Sequence, residues 1–539
     1  MLKNLKTTLA IFLCVTFVFL IGCSGNKKND LVIADLNNAD TQLTVKLPQS
    51  SRFEKLLDDS GKIITEYLET VKVSSIYKNY DDRVYIRYNG KPYFYNPVYI
   101  SYDQILNSKV IAAERKTIVL DEAFKKAKES GFKTVALFVD WKNFYNGSSY
   151  DYNFYKIYYK LAEKYDLNIS IIWNGYTKNG YMPWQNDRSK YPAKIINDKL
   201  NVPDLSQDIY INEAVEAITQ FCAWLNYTDY NRCTVLIQIE DEANTNYGKG
   251  AWLYQFENYS NLLLKMADAV KASPYNVVTT VGINFDDYRT TVEGVTGRDR
   301  LDKFLLYENI DGMGAANLTT TNFNIGDFAN DDKFCYVSKI SPAIFSFFET
   351  SMNLLSQGYQ FGVYELKSFD LNVNCGMYRT HSTNWVIRNN QIVDRGILSK
   401  KRMLEPYTPD VVDFIKGMNN IGTVLATANL LDIVALNPAA ANSYTVLTPA
   451  GDIRLSFNNI SIPHFTYNSA AICAVDAYSN YYVFSFHQSP FLAIDCDNTI
   501  KITEGEFTDG EWVDKTKELT LDNHYIVMKS GVVYKFTLS

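Results

Sequence analysis

The strongest constraint on how this chain can fold is a repeat of pattern rather than of residues. From 98 to 430, short apolar runs alternate with longer stretches whose apolar residues recur at helical spacing. The runs at 98–102, 134–139, 169–174, 235–239, 277–282, 310–314 and 361–364 have the length of strands. Several carry almost no polar interruption, as strands buried on both faces do. The stretches 120–130, 154–165, 212–225, 258–272 and 345–357 are long enough for helices, and 411–430 adds a terminal one. Repeated strand–helix units of this length imply a parallel sheet with right-handed crossovers. So many in succession predict an α/β fold of the (β/α)8 TIM-barrel kind rather than an open sheet. The eighth strand is expected within 384–397.

The rest of the chain falls outside that repeat. An alternating run at 83–88, the Asn89-Gly90 turn signal and a second run at 92–95 read as a hairpin. It opens a barrel domain that extends over 83–437. After Asn437-Pro438, short runs at 444–447, 453–457, 471–475, 481–487, 491–494, 499–502 and 532–538 lie between turn residues. They predict a C-terminal β-sandwich domain over 438–539. Residues 24–82 read as a polar tether and an N-terminal extension, with short strands expected at 31–33 and 43–45 and no function attached. Residues 1–23 read as a secretory signal, because Lys3 and Lys6 precede an apolar run that ends at Gly22-Cys23.

Composition removes several kinds of partner. The net charge is −7 with no long basic run after the first residues, so nucleic acid is not an expected partner. The eight Cys are scattered without a C-x-x-C pair or a His at zinc spacing, so no metal is expected, and most of these thiols should be buried and free. The barrel domain holds only His381, so a Ser-His-Asp arrangement there would have that one histidine to use.

Active sites of α/β barrels are built at the carboxyl ends of the strands. The residues standing at those ends are Asp140, Trp141, Trp173, Asn174, Asp241, Glu242, Asn284 and Glu365. They are carboxylates, amides and indoles. Glycosidic bond cleavage takes two carboxylates facing each other across one bond, with aromatic faces to stack on the sugar, and needs no cofactor. On this reading Glu242 and Glu365 are the catalytic pair, at the ends of strands four and seven. Trp141, Trp173 and Trp184 are candidates for stacking. Asp241, Asn174 and Asn284 are candidates for binding sugar hydroxyls, and Tyr364 for holding the second carboxylate. The substrate class is an oligo- or polysaccharide.

Two resemblances sharpen these expectations. Leu20-Ile21-Gly22-Cys23 resembles the bacterial lipobox, which implies a lipid on Cys23 and a place in the cell envelope. Ser24 is not an inner-membrane retention residue, so the outer membrane is expected. Residues 83–430 resemble the retaining (β/α)8 glycoside hydrolases of clan A, most of all the β-galactosidase-type families. The similarity lies in Asn89-Gly90-Lys91-Pro92, Gly131-Phe132-Lys133-Thr134-Val135, Tyr150-Asp151-Tyr152-Asn153 and Ile237-Gln238-Ile239-Glu240-Asp241-Glu242. The last of these is the most specific. The resemblance implies Glu242 as acid/base, Glu365 as nucleophile and retention of configuration. Two positions depart from the pattern. Asp241 stands where those families carry Asn, and Lys142-Asn143-Phe144 stands in place of their His-Glu-Pro loop. The competing expectation is a non-catalytic glycan-binding lipoprotein on a degenerate barrel.

Overall fold

The computed structural model describes residues 58, 62–63 and most of 71–538. Residues 1–57, 101–112, 175–180, 197–199, 242–254, 285–296, 317–331, 341–359, 367–384, 395–407, 429–432, 437–442, 459–470, 486–490, 497–499 and 520–524 lie outside the described residues, as do some shorter gaps and the side chains of 360–366. Cys23, Glu242, His381 and the strands and helix expected at 31–33, 43–45 and 345–357 fall there.

Eight parallel strands close into a barrel. In chain order they are strand one (Pro97–Ile100), two (Thr134–Asp140), three (Asn168–Asn174), four (Thr234–Ile239), five (Val278–Asn284), six (Gly312–Ala316), seven (Phe334–Ile340) and eight (Gln360–Leu366). Each pairs with the next, and strand eight returns to strand one through Tyr364↔Val98 and Glu365↔Tyr99. Strand four is buried along its whole length, consistent with a run that is apolar from Val235 to Ile239 except at Gln238.

The count differs from the sequence expectation in one place. Phe334–Ile340 was not foreseen, so the run ending at Glu365 is strand eight and not strand seven. The stretch expected to supply strand eight instead forms a separate antiparallel pair, Trp385–Arg388 with Gln391–Asp394. The missed strand reads Phe-Cys-Tyr-Val-Ser-Lys-Ile, in which Ser338 and Lys339 interrupt the apolar run.

Helices Ala113–Glu129, Lys156–Tyr165, Asp208–Thr228, Phe256–Ala272 and Gly297–Leu305 follow strands one to five. In the first, Leu120, Ala123, Phe124 and Ala127 recur at helical spacing and are all fully buried. Gly131, at φ +84°, turns the chain out of that helix. The terminal stretch is two helices, Thr408–Asn420 and Gly422–Thr427, separated at Ile421.

The hairpin ahead of the barrel is Val84–Tyr88 and Lys91–Tyr93, with Asn89 and Gly90 both at positive φ, as a tight primed turn requires. Ser74–Lys78 adds a third strand to it, so part of the stretch read as extension is built into the barrel base. Ile86, Tyr93 and Tyr95 pack with Val235, Leu236, Val278, Phe334 and Tyr336, at the amino-terminal ends of strands four, five and seven. Ser74 ties this plug down: its Oγ donates to Val235 O and accepts from Val278 N.

Beyond the barrel lie a six-stranded and a four-stranded antiparallel sheet. Their strands include Ile433–Leu436, Glu511–Asp514 and Tyr525–Val527, none foreseen in the sequence. The helix Thr408–Asn420 docks on the larger sheet. Asn420 donates to Gly505 O and accepts from Phe507 N, Ser530 donates to Asp413, and Gly417 lies against the ring of Phe484.

Candidate active site at the barrel mouth

The inward positions of the barrel are unusually polar. Tyr336 on strand seven donates to the Gln238 side-chain oxygen on strand four and is bonded to Thr280 of strand five at 2.9 Å. Tyr95, just before strand one, packs edge-on against Tyr336 and is bonded to Ser170 of strand three at 2.6 Å. Burial pushes both phenols up from their ordinary value, so both keep their protons. Above this layer strand four leaves regular geometry. Glu240 is fully buried at φ +59°, a left-handed conformation uncommon for a residue with a side chain. Its amide donates to Trp173 O at 2.7 Å, and the Gln238 amide nitrogen donates to Glu240 O at 2.9 Å and to Asp241 O at 3.4 Å.

Asp140 and Asn174 end strands two and three in register. Asn174 Nδ2 donates to Asp140 Oδ1 at 3.2 Å, and Lys142 Nζ lies 3.8 Å from Oδ2. The Tyr155 hydroxyl accepts from the Asp140 backbone amide at 3.0 Å, which fixes the start of the following turn. A carboxylate, an amide and a cation therefore converge at the mouth, a set able to accept from and donate to sugar hydroxyls.

The indoles divide into two kinds. Trp141 and Trp173 are wholly buried, so the stacking role expected for them is corrected: neither ring offers a face to a ligand. Strand alternation is the cause for Trp173. Its neighbour Asn174 pairs with Asp140 on the adjacent strand, while Trp173 turns outward against Phe144 and Phe221 beneath the helices. Trp184 remains partly exposed. Its Nε1 donates to Glu213 at 3.2 Å, and Glu213 also accepts from Gln185 and Tyr191. Gly147 lies against its indole, and Trp141 and Tyr145 meet it edge-on.

Asp241 follows the left-handed turn, and Glu242 lies outside the described residues. Asn284 ends strand five, paired with Ala316. Tyr364 and Glu365 have described backbone only, on strand eight. Sequence reasoning overlooked Gln238, Thr280 and Tyr336. The signal was present in the single polar residue inside the apolar run of strand four, whose parity points it inward. Among the described residues no group of His, Cys, Asp or Glu could hold a metal ion, and Cys222, Cys233, Cys335 and Cys473 are buried free thiols.

Fold and mouth together define a closed parallel (β/α)8 barrel with carboxylate and amide groups at the carboxyl ends of its strands. No protein-family model and no curated protein matches the sequence. Among solved structures, a family 39 glycoside hydrolase from Bacteroides cellulosilyticus is 12% identical with a TM-score of 0.38, over 85% of this chain and 84% of that one. An endo-β-1,4-mannanase from Thermotoga petrophila is 9% identical with a TM-score of 0.42, over 84% and 92%. A family 30 subfamily 8 xylanase from Clostridium acetobutylicum is 11% identical with a TM-score of 0.35, over 77% and 92%. Likenesses this slight carry no inference about activity, and the barrel rests on its own eight strand pairings.

Proposed function

We propose that this chain is a glycoside hydrolase acting on an oligo- or polysaccharide at the carboxyl-end mouth of the barrel. The observation that carries the reading is the end of strand four. A fully buried strand turns through left-handed Glu240 and ends at Asp241, on the strand next to the one that ends at Asn174. Glu242 acts as acid/base and Glu365 as its partner, with Asp241, Asn174 and Trp184 binding the sugar. Asn284 and Tyr364, at the ends of strands five and eight, complete the proposed site.

Moving Glu365 to strand eight sets the pair four strands apart instead of three. Strands about 4.8 Å apart and tilted by about 36° close a barrel roughly 15 Å across, so the extra strand widens the gap by only about 1 Å. Glutamate side chains are long enough to close a gap of that width to the roughly 5–5.5 Å separation of a retaining pair, and retention with Glu365 as nucleophile is the mechanism proposed. Aryl β-galactosides are the first substrates to try. Glu242→Gln should lose about 10²–10⁴-fold on poor leaving groups and much less on activated aryl ones. A fluorosugar should label Glu365, and NMR of the first product should show retained configuration. Label elsewhere, or inversion, removes Glu365 from the role.

A second reading is favoured by one feature: strand seven, Phe334–Ile340, carries no carboxylate. A glycan-binding barrel without turnover would bind polysaccharide and release no reducing sugar. In either case we propose that Cys23 carries a lipid that holds the protein in the cell envelope, and that the two C-terminal sheets pack as a β-sandwich. Cys23→Ala should move the protein to a soluble fraction, and unchanged membrane retention would exclude the anchor.

A further inference from the structure

The polar layer inside the barrel is buried, yet it is built around the left-handed turn that ends strand four. Gln238 is the junction. Its amide nitrogen donates upward to the carbonyl oxygens of Glu240 and Asp241, and its oxygen accepts from Tyr336, which is bonded in turn to Thr280. Two glycines on neighbouring strands make room for this. A Cβ on Gly282 would collide with the carbonyl oxygens of Glu240 and Asp241 and with the Gln238 amide. A Cβ on Gly314 would collide with the Gln238 oxygen and the Tyr336 hydroxyl. Strands four, five, six and seven therefore each contribute to one arrangement, and it holds a backbone conformation that costs about 1–3 kcal/mol unless its surroundings impose it.

We propose that Gln238 and Tyr336 are positioning residues: they hold the left-handed turn at Glu240 and so set where the carboxylates after strand four enter the mouth. The proposal rests on the reading of Glu242 as a reacting group for its catalytic consequence, and on strand-four geometry alone for its conformational one. Neither residue touches substrate. A buried amide bonded on both sides restrains the backbone, whereas an apolar side chain of the same size removes the Gln238 donor from the Glu240 and Asp241 carbonyls.

Gln238→Met keeps the volume and removes all three bonds, and Tyr336→Phe removes only the hydroxyl that fixes the Gln238 amide. In the full-length chain, hydrogen exchange of the Glu240 amide should rise by about tenfold or more in both variants, while Val235 to Ile237 keep wild-type protection. On an aryl glycoside both should lower kcat by roughly 100-fold with KM within about twofold, since a displacement of about 1 Å at the reacting group suffices for such a loss. The double variant should be no worse than Gln238→Met, because the two act as one unit. Unchanged exchange at Glu240 in Tyr336→Phe, the milder variant, overturns the proposal, and so does a loss that appears in KM alone. If exchange rises while the wild-type protein itself releases no sugar, the positioning device stands and the hydrolase reading fails.

Discussion

At the scale of single residues, the structure places a few side chains under measurable strain. Lys156 opens the second helix almost wholly buried, and burial, reinforced by Lys160, pushes its ammonium down to about 8. An unfolded lysine titrates near 10.5, so between these values the unfolded state binds more protons and stability rises with pH. At pH 7 the charged form is held in the fold at a cost of about 1–3 kcal/mol. Lys156→Met should therefore raise the Tm at pH 7, and the advantage should shrink as the pH climbs from 8 towards 10. A gain independent of pH would mean that packing, not charge, is responsible. Gly147, at φ +96°, has the Trp184 side chain 2.5 Å from where a Cβ would stand. Gly147→Ala should cost about 1–3 kcal/mol and shift the tryptophan emission, since both the backbone and the indole must give way.

Between elements, the terminal helix shows two effects of opposite sign. Gly417 lies inside Thr408–Asn420, where alanine would improve helix propensity by about 1 kcal/mol. The same methyl group would enter the buried ring of Phe484, a clash that costs about 1–3 kcal/mol or more in a packed interior. Overpacking should win, so Gly417→Ala should lower the Tm and expose the larger C-terminal sheet to limited proteolysis. An increase in Tm would show that the interface yields freely. Legibility in the sequence also varied by element. The strands and helices with largely apolar runs or clear helical spacing, such as Thr234–Ile239 and Phe256–Ala272, were readable because tertiary packing and local pattern agree there. Strand seven was not, because Tyr336 and Ser338 face a polar barrel interior and the sequence therefore lacks an apolar signature. That one omission moved Glu365 by a strand. The indoles show the same limit at finer scale, since residue type marked Trp141 and Trp173 as ligand contacts while one step of strand parity buried Trp173 completely. Gln238 shows the converse, a polar residue in an apolar run whose role could be assigned only once Tyr336 was known to stand opposite.

For the molecule as a whole, the docked helix makes the barrel and the C-terminal sheets thermodynamic neighbours. Asn420, Asp413 and Gly417 all belong to the helix Thr408–Asn420 and all meet the larger sheet. Calorimetry of the full-length chain should show one cooperative transition, and a chain ending at 437 should aggregate because the Gly417 face is uncovered. Two separated transitions would contradict this coupling. The plug at the base has a consequence in time. Ser74 reaches its partners at Val235 and Val278 across 161 and 204 residues of chain. At synthesis rates of about 5–20 residues per second, it waits roughly 8–32 s for the first partner and roughly 10–41 s for the second. Until then the apolar face of the hairpin has nothing native to cover it, and loop closure over such distances is slow even afterwards. A nascent chain of this design stays open until more than half of it has been made. That delay makes the hairpin the segment most dependent on a chaperone during that interval.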